Sequence, residues 1–175
     1  MTPFTPETEQ VGAWLAGAVP DGWYTGSPTV TVDREEILVD GTLPDVELPE
    51  DASDDARRTA REARIGRWRE ETRGERMRIA DEIERRWGRK VAWAAAIGDV
   101  RVAFTSLSVP VMTRLRQADR LVLDTLVEAG VARSRSEALA WCVRLVGKNE
   151  AAWIAQLRDA MESVARVRSE GPAGR

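Results

Sequence analysis

The residues of this sequence that could do chemistry are carboxylates, arginines, a few hydroxyls and one thiol. No histidine occurs among its 175 residues. That removes the commonest general base, the usual nucleophile–histidine pairs and the Cys/His zinc patterns. Neither a G-x-x-x-x-G-K-[ST] nor a G-x-G-x-x-G phosphate loop is present. Asp33, Glu35, Glu36 and Asp40 read more simply as the solvent side and turn of a hairpin than as cation ligands. Cys142 falls on the apolar face of a helix, where a buried thiol is inert, and a lone cysteine forms no intrachain disulfide. No cofactor or metal is implied, and an enzyme is not expected. What remains is binding chemistry. Its groups are Ser134 and Glu137, in the S-x-x-E relation of a capping box, and the arginines Arg114, Arg116, Arg133 and Arg135.

Charge is distributed unevenly. The formal net charge is -3, yet residues 1–56 carry 13 acids and one base, 57–90 carry 7 acids and 13 bases, and 91–175 carry 9 acids and 12 bases. An acidic front with a basic middle and back permits contact with a polyanion despite the acidic total. A solvated acidic lobe beside an Arg-rich helix accounts for the same numbers. No apolar run approaches the roughly 20 residues of a membrane span, and the start "MTPFTPETEQ" lacks the basic region and apolar core of a signal peptide. The expectation is a soluble cytoplasmic protein, at the nucleoid if it binds DNA.

The elements that must position these groups are legible in part. Thr5 is a candidate N-cap, Pro6 a first helical residue, and Val11, Trp14 and Leu15 have helical spacing. "TVTVDREEILVDGTLP" alternates on both sides of Asp33–Glu36, as a hairpin does, and the acidic "DVELPEDASDD" reads as a linker. From Ser53 to Trp87 the composition is helical, with Ile65, Trp68, Ile79, Ile83 and Trp87 on one stripe. Gly66 and Gly74 leave open one helix with a soft point or two helices. "RKVAWAAAIGDVRVAFTSL" reads as two strands joined at Gly98-Asp99. The fold class is therefore α+β: a small α+β domain over residues 1–107, a module over 108–147, and a C-terminal helix and tail over 148–175.

In the second module, Val109, Val111, Thr113 and Leu115 fall on one face of a strand, and Pro110, Met112 and Arg114 on the other. "ADRLVLDTLVEAG" is a helix with Val122, Leu123, Leu126 and Val127 on a broad apolar face, closed by Gly130. The capping box opens a second helix whose Ala138, Leu139, Trp141, Cys142, Val143, Leu145 and Val146 cover more than one stripe, which implies a partner surface. Trp153, Leu157, Met161 and Val164 form a stripe on a further helix. Strand, helix, short turn and a capped helix opening with "RSRSEAL" together resemble the ribbon-helix-helix superfamily of DNA-binding proteins, the Arc and Met repressor type. The resemblance covers residues 108–147.

It implies a homodimer in which two strands pair into an antiparallel ribbon that enters the major groove of double-stranded DNA, backed by interlocked helices. Carried over position by position, Pro110, Met112 and Arg114 would face base edges, with Arg114 suited to the O6 and N7 of guanine. Arg116, Arg133, Ser134, Arg135 and Ser136 would contact phosphate, aided by the free N–H groups and dipole of the second helix. Val109, Val111, Leu115, Val122, Leu126, Leu139, Cys142, Val143 and Val146 would form the dimer core. The expected function is a transcriptional regulator, with a second protein or effector at the N-terminal domain. The alternatives are a nucleoid-associated protein of low specificity and an interaction module that keeps the fold only to dimerise. Three features depart from the family: some 100 residues precede the strand, Pro110 removes a ladder donor, and Met112 stands where sequence readers usually carry a polar residue.

Overall fold

The computed structural model describes residues 6–105 and 107–170. The chain falls into two compact units, one ending at Val109 and the other beginning at Pro110.

The front unit is a four-stranded sheet with helices α1 (Pro6–Ala18), α2 (Asp54–Glu71) and α3 (Arg73–Trp87). Strands β1 (Thr29–Val32), β2 (Glu36–Thr42), β3 (Lys90–Ile97) and β4 (Val100–Ala103) lie in sequence order. The outer pairs are antiparallel, and the central pair, β2 with β3, is parallel. A parallel neighbour needs a long crossover, which α2 and α3 supply. The hairpin forms where alternation indicated it. Asp33 turns the chain by accepting the backbone N–H groups of Glu35 and Glu36, each at 2.7 Å, and these bonds, that of Glu36 first, hold its carboxyl below the ordinary range. The turn sets Val32 opposite Ile37 and Val30 opposite Val39, so all four share the buried face. At the second turn Gly98 takes φ 57°, a left-handed conformation open to glycine at little cost. Thr5, the candidate N-cap of α1, lies outside the described residues.

Two joined clusters form this core. Val11 and Leu15 of α1 and Ile79 and Ile83 of α3 meet Val30, Ile37, Val39 and Trp93. Ile65 and Trp68 of α2 meet Leu43, Ala95, Ile97 and Val100. The stripe read from the sequence is thus the buried one, with Trp87 half-buried beside Trp14. The helix is two helices, and the break falls at Thr72, not at Gly66 or Gly74. The Thr72 hydroxyl donates to the Trp68 carbonyl at 2.7 Å, the back-bonding that bends helices at Thr.

The second unit is helical: α4 (Gln117–Glu128), α5 (Arg135–Asn149) and α6 (Ala151–Glu170). Gly130 at φ 74° ends α4, with N–H groups of 130–132 returning to the carbonyls of Val127 and Leu126. Ser134 caps α5 by accepting the Glu137 N–H at 3.2 Å. Glu137 reaches back to the N–H of Arg133, one residue before the cap, at 2.8 Å. The buried core is small, with Leu123, Ala132 and Ala138, flanked by Leu115, Leu126, Val127, Leu139 and Cys142.

The strand expected over 109–115 is not formed in the single chain. Residues 107–116 have no regular secondary structure. A strand exists through its ladder of hydrogen bonds, and among the described residues no strand of the sheet pairs with this segment. Its expected buried face is correspondingly open, with Val109 41 % and Val111 85 % exposed.

Candidate nucleic-acid interface

The segment 107–116 forms an arm leading into α4. Leu115 anchors it against the Leu123 cluster, and Arg120 holds it from α4 by donating to the Leu115 carbonyl at 2.7 Å. Sequence reasoning passed over Arg120. Its one signal was its position on the first turn of α4, five residues beyond the carbonyl it reaches. Beyond that anchor, Pro110, Met112 and Arg114 are all exposed, Met112 at 97 %. The guanidinium of Arg114 makes no hydrogen bond or ion pair among the described residues. The three expected readers thus lie on one arm, open to a ligand, but without the strand geometry that would aim them together.

The phosphate candidates divide into two sets. Arg116, Ser134 and Ser136 are exposed near helix starts, with Ser134 already used as a cap. Arg133 and Arg135 have partners. Arg135 grips Asp124 of α4 in a two-pronged contact of 2.6 and 2.7 Å, which holds the Asp124 carboxyl below its ordinary range and clamps α5 to α4. Glu137 accepts the backbone N–H and the side chain of Arg133, and it too is held below the usual carboxylate range. These carboxylates offset much of the positive field that the sequence suggested at the start of α5.

The expected dimer core is not a core of the single chain. Leu115, Leu126, Leu139 and Cys142 are half-buried around Leu123 and Ala138. Val122, Val143 and Val146 are 55 %, 65 % and 50 % exposed. Trp153, Leu157, Met161, Val164 and Val167 of α6 are also exposed. Apart from Met77, the large apolar side chains exposed among the described residues all come after residue 106. The hydrophobic surface left uncovered therefore belongs almost wholly to the arm and the three helices after it.

Among the described residues no group of three or more His, Cys, Asp or Glu could hold a metal ion, and no helix is long and apolar enough to cross a membrane.

Comparison with known proteins follows the same division of the chain. Residues 9–103 match the family described as Rv1265-like protein, N-terminal domain, and residues 116–168 match the Mb1296 C-terminal domain. The first match covers β1–β4, α2, α3 and most of α1, and the second covers α4, α5 and most of α6, with only the last residue of the arm. Uncharacterized protein Rv1265 of Mycobacterium tuberculosis (strain H37Rv) and uncharacterized protein Mb1296 of Mycobacterium bovis are each 54 % identical over 167 residues. Those alignments cover 95 % of this chain and 72 % of each relative. No solved structure matches. With both domain matches in order along it, and a relative aligned over nearly its whole length, the chain belongs to the Rv1265-like family.

Proposed function

We propose that the chain is a homodimeric DNA-binding protein of ribbon-helix-helix type that acts in transcription regulation. One observation carries the reading: an unpaired alternating arm leads into helices whose apolar faces are uncovered. Half of an intertwined dimer has this character, because its strand finds a ladder only on a second chain and its helices find their core there. Pairing two arms would give Val109 and Val111 a common buried face and turn Met112 and Arg114 outward together. Arg114 would then read bases, and Arg116 with the N–H groups opening α5 would hold phosphate.

The test is a DNA-binding titration at several ionic strengths with wild type and Arg114→Ala. Affinity should fall steeply with salt, through release of counterions from phosphate. Arg114→Ala should relax sequence preference. Equal, salt-insensitive binding by both proteins sinks the reading.

A second reading has its own support. The α6 stripe of Trp153, Leu157, Met161 and Val164 is apolar and exposed, and Arg133 and Arg135 are engaged by carboxylates. Both features suit an interaction module that dimerises and recruits a protein without reading DNA. No DNA affinity at low salt, with an intact dimer, selects it.

A further inference from the structure

The stripe that α2 and α3 bury against the sheet runs Ile65, Trp68, Thr72, Arg76, Ile79, Ile83, at spacings of three and four across the break. Arg76 is the anomaly, only 7 % exposed at a position the pattern reserves for an aliphatic side chain. Its guanidinium lies over the rings of Phe104, Trp68 and Trp93, at 5.0, 5.4 and 5.9 Å from their centroids. Nε donates to Thr72 Oγ1 at 3.0 Å and Nη2 to the Arg69 carbonyl at 2.6 Å. Nη1 makes no hydrogen bond to a described residue, yet it is not among the polar atoms sealed from solvent. Among the described residues no carboxylate lies within ion-pair distance of Arg76. Burial lowers its pKa, with Glu70 opposing from beyond ion-pair distance, but a guanidinium stays protonated in proteins, so this is a buried charge with no carboxylate in contact. The aromatic rings offset only part of that cost.

The open side of this guanidinium is a cavity of about 410 Å³, within the usual size range of small-molecule sites. Arg69 and Arg73 join Arg76 in its wall, and Met77, Trp93 and Phe104 supply an apolar floor. Glu70 also lines it but stands 4.0 Å from Arg69, at the limit of an ion pair. Three cations therefore face one carboxylate over an aromatic surface.

We infer that this cavity binds a small organic anion, an acidic head group attached to a flat apolar ring. The head supplies the charge that Arg76 lacks and takes further N–H bonds from Arg73. The ring packs on Trp93, Phe104 and Met77. All walls belong to the front unit, so the site stands whether or not the second unit binds DNA.

The test uses the whole 175-residue chain and the indole N–H signals of its tryptophans in NMR titrations. Four probes separate the requirements: phenyl phosphate and benzoate carry ring and anion, inorganic phosphate the anion alone, and phenol the ring alone. One or both of the first two should give saturable shifts of the Trp93 and Trp68 signals, and the tighter of them identifies the head group. Arg73→Ala, on the exposed rim, should weaken that binding about tenfold, as loss of a charge-assisted hydrogen bond does. Arg76→Gln should weaken it further, and if that variant does not fold, Arg73→Ala still decides. The inference is overturned if neither aryl anion gives a saturable shift up to about 10 mM, a Kd scale corresponding to only about 3 kcal/mol. It is equally overturned if Arg73→Ala binds as wild type, or if phenol binds as tightly as phenyl phosphate.

Discussion

Replacing Val143 by Glu tests the origin of the uncovered surface, because that side chain lies on α5 and is 65 % exposed in the single chain. Full burial of such a side chain is worth about 1.5–3 kcal/mol, so burying the remaining two-thirds contributes about 1–2 kcal/mol per copy. A two-fold interface counts each residue twice, giving about 2–4 kcal/mol, or roughly a 30- to 1000-fold rise in the dimer dissociation constant. A carboxylate forced into an apolar contact adds to this. The monomer should be untouched, since Glu favours a helix at least as well as Val does. Sedimentation equilibrium across a concentration series reads the constant, with far-ultraviolet circular dichroism checking the fold and Ala63→Glu, exposed on α2, as control. A wild type that stays monomeric, or a Val143→Glu dimer as tight as wild type, refutes the reasoning.

Other outcomes are fixed by single contacts. Gly41→Ala drives a methyl into the ring of Tyr24, and overpacking of this kind costs about 1–3 kcal/mol, visible as a lower melting temperature of the front unit. Ser134→Ala removes the cap of α5 and should cost about 0.5–2 kcal/mol in denaturant unfolding of the second unit. Asp124 and Glu137 have depressed pKa values in the fold, so their contribution is present above the unfolded values, about 3.9 and 4.3, and is lost as pH falls through the folded ones. The helical signal of the second unit should therefore hold from pH 7 to about 4.5 and decline below, and Asp124→Asn should flatten that decline.

The hairpin at Asp33 and the turn at Gly98 were legible because both depend on neighbours in sequence: alternation fixes the faces, and Asx or Gly chemistry fixes the reversal. The stripe on α2 and α3 was legible for the same reason. The break at Thr72 was not, since glycine spacing pointed elsewhere and the cause is one hydroxyl choosing a carbonyl within its own helix. Arg76 was hidden differently. In a stretch with 13 bases it reads as one more solvated arginine, and only its register with Ile79 and Ile83 marks it as buried. The arm at 109–115 is the opposite case, where a clear alternation meets no strand, because among the described residues no ladder pairs with it. Arg135 shows a third limit. Its charge was visible, but its commitment to Asp124, eleven residues earlier, required the α4–α5 packing to be known.

On the proposed function, the open arm would make protein concentration part of the reading chemistry. If the groove-reading surface exists only where two arms meet, then below the dimer dissociation constant the amount of that surface rises with the square of the chain concentration. Halving the number of chains would cut the active species about fourfold, so occupancy of a site would respond as a threshold rather than in proportion. Such a protein would measure its own abundance through a segment that becomes a strand only beside its own copy.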